Sequence, residues 1–203
     1  MLEQNVIKIL QADLNFSDLS IDKLKIFSKN LIEANKNHNF ISKSTENDVW
    51  HRHILDSAQL VNFIDFNSGS LADLGTGAGF PGLILAIYNQ KKDFHVKLYE
   101  KSPVKRKFLE NNIKDLDIKA NILSNIYEEE IDSDYIVCRA FKKLSQVIQV
   151  SRENVKKPHD LIVLKGKNAQ DEINKAFKSK KYPYKIEKSI TDKESKIVII
   201  KFN

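Results

Sequence analysis

The sequence predicts an α/β fold, in which a doubly wound, seven-stranded, mostly parallel sheet carries an N-terminal helical cap. From Leu71 onward, short apolar runs alternate with segments of helical periodicity, as expected for parallel strands joined by helices. The last two strand candidates are joined by a short polar link, which favours an antiparallel pair. A glycine-rich turn follows the first strand candidate, so we expect a ligand site at the carboxyl ends of the strands.

Seven strands and four connecting helices are predicted in this part of the chain. The strands are expected at residues 71–74, 95–100, 118–123, 134–139, 160–165, 184–188 and 196–202. The helices are expected at residues 80–90, 103–115, 142–156 and 169–179. Because each of the first strands is followed by a helix, right-handed crossovers are expected between them.

The N-terminal part has helical periodicity only. Apolar side chains recur at helical spacing over residues 21–37, with Ser20 as the expected N-cap, and a second helical pattern runs from Val49 to Val61. The polar stretch 67–70 separates this part from the alternating pattern. We therefore predict a helical region at residues 1–68 and a ligand-binding domain at residues 69–203.

Composition limits the class of protein. The chain has 203 residues, of which 41% are hydrophobic and 30% charged, which is typical of a folded globular protein. One cysteine, Cys138, excludes an internal disulfide, and no cysteine cluster suggests a metal site. No signal peptide or membrane-spanning run is evident, so we expect a cytoplasmic protein without membrane association. The net charge of +6 is compatible with an anionic partner.

The glycine-rich turn spans residues 73–82 and contains four of the six glycines of the chain. Two cofactors fit its spacing. Gly77-x-Gly79-x-x-Gly82 matches the dinucleotide fingerprint, whereas Gly75-x-Gly77-x-Gly79 after Asp73 matches the S-adenosylmethionine version.

Three observations favour S-adenosylmethionine. Asp73, two residues before the first glycine, can orient the turn or meet the ammonium group of the cofactor. Pro81 removes an amide N–H where a pyrophosphate would need a donor. The chain also leaves no second half-domain for a reducible substrate. A nicotinamide-dependent oxidoreductase remains the alternative enzyme.

Further binding residues are predicted at strand ends. Glu100 ends the second strand candidate, where an acidic side chain reaches the ribose hydroxyls of an adenosine in either cofactor. Lys105 and Arg106 lie at a helix start, and Lys165 lies at the end of the fifth strand candidate. These three cations are candidates for contacts with the phosphates of a nucleic acid, an anionic partner with which the net charge is compatible. Arginine is rare in this chain, at four of 33 basic residues. Each arginine is therefore a candidate for a contact that requires the planar, forked guanidinium group.

Several segments together resemble one known family, over about residues 30–166. The matching segments are Asn37-His38-Asn39-Phe40-Ile41, Arg52-His53-Ile54-Leu55-Asp56-Ser57, the turn Asp73–Gly82, Lys105-Arg106-x-Phe108-Leu109, Arg139-Ala140-Phe141 and Leu164-Lys165-Gly166. On these motifs the chain is identified as a member of the RsmG family, also called glucose-inhibited division protein B. The resemblance implies an S-adenosylmethionine-dependent enzyme that methylates N7 of a guanine in the 530-loop region of 16S ribosomal RNA. It makes 16S rRNA, or a precursor of the small ribosomal subunit, the expected partner of a monomeric protein.

The resemblance also implies cofactor contacts, position by position. They fall on Gly75, Phe80, Ile126, Tyr127 and Arg139, beside Asp73, Gly77 and Glu100 of the turn region. Members of the family often have an arginine before the pair at 126 and 127, and an acidic residue as its second member. Here these positions hold Asn125 and Tyr127. Backbone contacts to adenine would survive both changes.

The chemistry implied by the resemblance agrees with the absence of an obvious acid–base pair. Guanine N7 has a free lone pair, so methyl transfer to it needs positioning more than a general base. The Asn/Asp-Pro-Pro-aromatic segment of many amine methyltransferases is replaced by Cys138-Arg139-Ala140-Phe141. Cys138 lies in an apolar strand candidate and is expected to be a core thiol. A non-catalytic RNA-binding assembly factor with the same fold is the non-enzymatic alternative.

Overall fold

The computed structural model describes residues 1–128, 130–178 and 182–203, and within these residues it contains a seven-stranded sheet of order β3-β2-β1-β4-β5-β7-β6. The strands are β1 (Gly69–Leu74), β2 (Phe94–Tyr99), β3 (Asn121–Leu123), β4 (Tyr135–Arg139), β5 (His159–Lys165), β6 (Tyr184–Lys188) and β7 (Lys196–Phe202). The strands β1 to β5 are parallel, and β7 runs antiparallel to both β5 and β6. The predicted fold class and the terminal antiparallel pair are confirmed.

The helices flank this sheet. They are α1 (Glu3–Ala12), α2 (Asp18–Asn35), α3 (Lys43–Glu46), α4 (Asp56–Ala58), α5 (Gly82–Tyr88), α6 (Pro103–Asp115), α7 (Leu144–Asn154) and α8 (Ala169–Ala176). A π-helical turn at Trp50–Leu55 precedes α4, and a 3₁₀ helix at Gln59–Phe63 follows it. In the described part of the chain, no helix combines the length and the apolar character needed to cross a membrane.

Element ends differ from the prediction where local turns intervene. The predicted strand 118–123 begins only at Asn121, because the Ile118 amide donates to the Ile113 carbonyl (2.9 Å) and closes the end of α6. The helix predicted at 80–90 begins at Gly82, since the turn continues to Pro81. Residue 179, the predicted end of the last helix, lies outside the described residues.

The N-terminal helices refine one expectation and correct another. The helix α1 lies in the predicted helical region, which specifies no separate helix there; its Val6 and Leu10 repeat at helical spacing and are buried. Ser20 as N-cap is wrong: α2 begins earlier, and the Ser17 hydroxyl accepts the Ser20 amide (3.1 Å). Ser20 instead lies inside the helix, where its hydroxyl donates to the Ile87 carbonyl (2.9 Å) and joins α2 to α5.

The N-terminal helices share a hydrophobic core with one face of the sheet. The ring of Phe27 on α2 lies 5.7 Å from that of Phe80 and 6.1 Å from that of Phe108. This packing places residues 40–42 and His53 beside the carboxyl ends of the strands. The boundary at residue 68 stays a prediction, because the two regions share this core.

Candidate functional site

A cavity of about 480 Å³ lies at the carboxyl ends of β1, β2 and β4, and we call it the turn cavity. Its lining comes from the glycine turn, the β2 end, the loop after β3 and the segment after β4. Among the lining residues are Gly75, Gly77, Phe80, Glu100, Lys105, Ile126, Tyr127 and Arg139. Seven of these are predicted cofactor contacts, and Lys105 is a predicted RNA contact. Their binding roles stay predictions.

The glycines of the turn have two different reasons to be glycine. Both Gly75 (φ +74°) and Gly77 (φ +61°) adopt a left-handed conformation that strains residues with a Cβ. A Cβ on Gly77 would meet nothing nearer than the Gly75 carbonyl oxygen at 3.9 Å, so this backbone is open to a ligand. A Cβ on Gly75 would lie 2.5 Å from Cδ2 of Phe141. Close packing within the protein therefore also requires glycine at position 75.

Asp73 lies beneath the turn and does not line the turn cavity. Its side chain is fully buried, and its Oδ2 accepts the amide of Gly82 (2.7 Å), the first residue of α5. Burial raises the pKa of Asp73 to about 7, although the Gly82 hydrogen bond opposes this shift. Of the two roles expected for Asp73, the geometry favours orienting the turn.

Glu100 connects the turn to the end of β2. Its Oε2 accepts the Gly77 amide (2.9 Å), and its Oε1 accepts the Ser102 amide (2.7 Å). A carboxylate offers about four acceptor sites, so these two bonds leave it able to accept ribose hydroxyls from the cavity side.

The loop after β3 forms the opposite wall of the turn cavity. Ile126 is buried, whereas Tyr127 is 50% exposed. The Asn125 side chain accepts the Tyr127 amide (3.2 Å) and donates to Glu128 (3.2 Å). Asn125 therefore shapes this loop. Its side-chain oxygen accepts the Tyr127 amide, which an arginine could not do because a guanidinium has no acceptor.

Arg139, the last residue of β4, is held on several sides. Its Nη1 donates to the Arg52 carbonyl (3.0 Å) and lies 3.4 Å from Oδ2 of Asp56, while its Nη2 donates to Nδ1 of His53 (2.8 Å). Its guanidinium carbon lies 5.0 Å from the centre of the Phe80 ring. An arginine has five N–H donors, so these contacts leave donors free for a ligand.

His53 is a neutral partner of Arg139. Burial, followed by the charge of Arg139, lowers the pKa of His53 to about 3. Its Nδ1 therefore has a lone pair for Arg139, and its Nε2 donates to the Thr45 hydroxyl (2.8 Å). Its ring also stacks on Phe80, with 5.1 Å between centres. His53 and Asp56 are site residues that the sequence did not predict, although both lie in a segment that carries the family resemblance.

A second cavity, of about 520 Å³, adjoins the first, and we call it the basic cavity. Its cationic lining residues are Arg52, Arg139, Lys142, Lys143 and Lys165, against the acidic Asp56, Glu172 and Asp192. Both cavities are lined by His53 and by the segment Arg139–Lys142. The segment after β4 is thus a shared wall, in which Ala140 has a left-handed conformation (φ +51°).

The three predicted RNA contacts have different surroundings. Lys105 is half-buried and lines the turn cavity. The Arg106 guanidinium donates to the carbonyls of Glu100 (3.0 Å) and Lys101 (2.7 Å), so it holds the chain before α6. Lys165 lines the basic cavity but pairs with Glu172 (2.9 Å). Arg106 and Lys165 therefore have structural roles, and RNA binding by all three stays a prediction.

Cys138 lies in the interior of the sheet. It is buried, and burial raises the pKa of its thiol to about 12. A thiol held protonated in this way is a poor nucleophile, which agrees with the expected core role.

Comparison with known proteins decides the family. Residues 20–199 match the family model GidB, described as rRNA small subunit methyltransferase G. The chain belongs to this family. Relatives named ribosomal RNA small subunit methyltransferase G include one from Rickettsia felis, 39% identical over 88% of this chain and 91% of its own length. Another, from Pelagibacter ubique, is 37% identical over 87% of this chain and 85% of its own length. The family predicted from the motifs is confirmed, and with it the methyltransferase class.

Solved structures agree on the fold. A SAM-dependent methyltransferase from Aquifex aeolicus superposes with a TM-score of 0.56 at 12% identity, covering 72% of this chain and 88% of its own. A methyltransferase from Pyrococcus furiosus gives a TM-score of 0.58 at 10% identity, covering 73% and 82% of the two chains. At these identities the likeness establishes the fold alone.

Proposed function

We propose that this protein transfers the methyl group of S-adenosylmethionine to N7 of a guanine in the 530-loop region of 16S ribosomal RNA. Methyl transfer to small-subunit rRNA, with S-adenosylmethionine as the methyl donor, follows from the family. The position of the target nucleotide is the finer part of the proposal. The target nucleotide rests on the resemblance of the motifs. The single structural observation that supports methyl transfer is the wall shared by the two cavities, because the transfer requires donor and acceptor to meet.

The turn cavity fits the methyl donor. The open backbone at Gly77 admits close approach of a ligand, and Glu100 offers acceptors for ribose hydroxyls. Ile126 supplies an apolar surface for an adenine, and the free donors of Arg139 suit a carboxylate. Bound in this cavity, S-adenosylmethionine supplies a methyl group on a positively charged sulfur. Residues of this chain would hold it and orient it.

The basic cavity suits the acceptor. Its excess of cations favours a phosphate backbone: Lys142 is the last residue of the shared wall, and Lys143 directly follows it. Phe141 presents an aromatic side chain to both cavities, which suits a nucleobase. Because N7 carries its own lone pair, the site needs no base, and His53 is engaged with Arg139 instead. We further propose that the protein acts as a cytoplasmic monomer on 16S rRNA or a precursor of the small subunit.

Two measurements test this function with the intact protein. Calorimetry should show S-adenosylmethionine binding and no binding of NAD. Incubation with labelled S-adenosylmethionine and small ribosomal subunits that lack the modification should label 16S rRNA, and Arg152→Lys should behave like the parent, because Arg152 is exposed and lies over the Tyr182 ring rather than at either cavity. RNA binding without label would instead indicate an assembly factor, and binding of NAD would indicate an oxidoreductase.

A further inference from the structure

The loop between β6 and β7, residues 189–195, is tied to the segment that holds Arg139. We call it the hairpin loop. The Thr191 hydroxyl donates to Oδ1 of Asp56 (2.8 Å) across 135 positions of sequence. The Ile190 amide donates to Oε1 of Gln59 (2.9 Å). The hairpin loop therefore contacts both ends of the segment 56–59.

The direction of each hydrogen bond follows from the donors and acceptors present. The Asp56 carboxylate only accepts, so the Thr191 proton points to it, and the Thr191 oxygen accepts from the Ser189 hydroxyl (2.8 Å). The Ser189 oxygen in turn accepts from Nε2 of Gln59 (3.1 Å). These donors and acceptors form one consistent network, which favours a single arrangement of the hairpin loop.

This network reaches the shared wall through Asp56. Oδ1 of Asp56 accepts from Thr191 and from Gln59 (3.1 Å), which leaves Oδ2 facing Arg139 at 3.4 Å. The bonds to Oδ1 thus set the rotation of the carboxylate. The carboxylate acts on the guanidinium together with His53 and the Arg52 carbonyl, which accepts from the same Nη1 at 3.0 Å.

The hairpin loop also contributes to the basic cavity itself. Thr191 and Asp192 line it, and Asp192 pairs with Arg52 at 3.6 Å. An acceptor in the basic cavity would therefore contact the same loop that orients Asp56.

We propose that Thr191 is a positioning residue for methyl transfer: acting through Asp56, its hydroxyl sets the orientation of the Arg139 guanidinium in the shared wall. The inference rests on the proposed function for the catalytic consequence, since Arg139 must contact the cofactor or the acceptor. The orientation of Arg139 itself is testable without turnover.

The test compares Thr191→Val, which keeps the shape but loses the hydroxyl, with Thr191→Ser, which keeps the hydroxyl. Loss of one hydrogen bond of this kind predicts a drop in kcat of roughly 3- to 10-fold for Thr191→Val. Thr191→Ser should restore the rate to within about twofold of the parent. Lys193→Ala is the matched control, because its side chain is exposed in the same loop.

Two further measurements separate positioning from a loss of stability. In an Arg139→Lys background, adding Thr191→Val should cost less than about twofold, because no guanidinium remains to be oriented. The side-chain NMR signals of Arg139, assigned by their absence in Arg139→Lys, should shift in Thr191→Val and return in Thr191→Ser.

Three results would overturn the inference: unchanged Arg139 signals and kcat in Thr191→Val, failure of Thr191→Ser to restore them, or an equal loss in the Arg139→Lys background. Absence of rRNA methylation by the parent protein would instead contradict the proposed function. In that case the NMR series still decides the role of Thr191.

Discussion

The two cavities on either side of the shared wall are built in different ways. The turn cavity takes its floor from main chain: the short turn at residues 75–78 lines it, and its acidic contact Glu100 accepts backbone amides. The basic cavity depends on side chains from segments far apart in sequence, such as Arg52, Lys165 and Thr191. The comparison teaches that the part suited to the cofactor is built around the backbone of one turn, whereas the part suited to RNA is built from side chains that meet only in the folded protein.

Arg139 belongs to both cavities, so changing it should have the largest effect. Arg139→Lys keeps the charge but loses the fork that contacts His53 and Asp56 together. We expect methyl transfer to fall by about 10- to 100-fold, the range for losing a hydrogen bond to a charged group. Steady-state kinetics and calorimetry with S-adenosylmethionine will show whether cofactor affinity falls as well.

The matched control for this change is Arg152→Lys, because Arg152 is exposed and lies over the Tyr182 ring rather than at either cavity. Full activity in Arg139→Lys would remove Arg139 from the site. A lowered melting temperature with normal kcat would assign it to a structural ion pair with Asp56.

Asp73 tests whether the floor of the turn cavity depends on a buried carboxyl. Its pKa is about 7 in the folded protein and near 4 when unfolded, so the folded state binds the proton more tightly. The contribution of Asp73 to stability therefore falls as pH rises from about 4 to about 7, by about 1.4 kcal/mol per unit. Denaturant unfolding at pH 5 and pH 7 should show this loss in the parent and less of it in Asp73→Asn. An equal change in the free energy of unfolding between pH 5 and pH 7 in the parent and in Asp73→Asn would show that Asp73 is ionised in the folded protein.

A substitution at Gly75 tests whether the turn cavity needs backbone without a side chain at this position. Gly75→Ala places a Cβ at φ +74°, 2.5 Å from Phe141. The left-handed conformation alone costs a residue with a Cβ about 1–2 kcal/mol, so we expect a lower melting temperature and weaker S-adenosylmethionine binding. Gly166→Ala, with no atom within 4 Å of its Cβ, is the control. Parent-like affinity in Gly75→Ala would show that the turn tolerates a side chain there.

The contrast between the cavities also explains what could be predicted from sequence. The turn was predictable because its glycines, Asp73 and the flanking strand and helix lie within one short segment. The network of His53, Asp56 and Thr191 was not, since its members meet only after the hairpin loop packs against the N-terminal region.

The wrong N-cap at the start of α2 has a similar cause, because a contact between distant segments decides it. Ser17 and Ser20 are both acceptable N-caps by residue type, and only the packing of Ser20 against Ile87 decides between them. RNA contact by Arg106 stays a prediction: its charge suits a phosphate, while its Nη1 donates to the carbonyls of Glu100 and Lys101.

Substitutions at Lys105 and Arg106 have the smallest expected effects. Comparing them distinguishes a residue that contacts RNA from one that supports the structure. Lys105→Gln should weaken RNA binding and reduce the slope of log affinity against log salt by about 0.7 to 0.9, the value for one phosphate contact. Arg106→Gln should lower the melting temperature instead, because the carbonyls of Glu100 and Lys101 lose their donor. Filter-binding titrations over several salt concentrations, with thermal melts, will distinguish the two. If Arg106→Gln changed the salt slope and Lys105→Gln lowered the melting temperature, Arg106 would be the RNA contact and Lys105 the structural residue.

The central claim is that the shared wall brings a guanine of 16S rRNA to the methyl donor. The most direct measurement maps N7-methylguanine, by chemical cleavage at the modified base, in 16S rRNA from unmodified small subunits treated with this protein and S-adenosylmethionine. We predict one new cleavage, at a guanine in the 530-loop region, and its loss with Arg139→Lys at matched enzyme concentration. A methyl group at another atom or outside this region, or no incorporation with cofactor bound, would contradict the account.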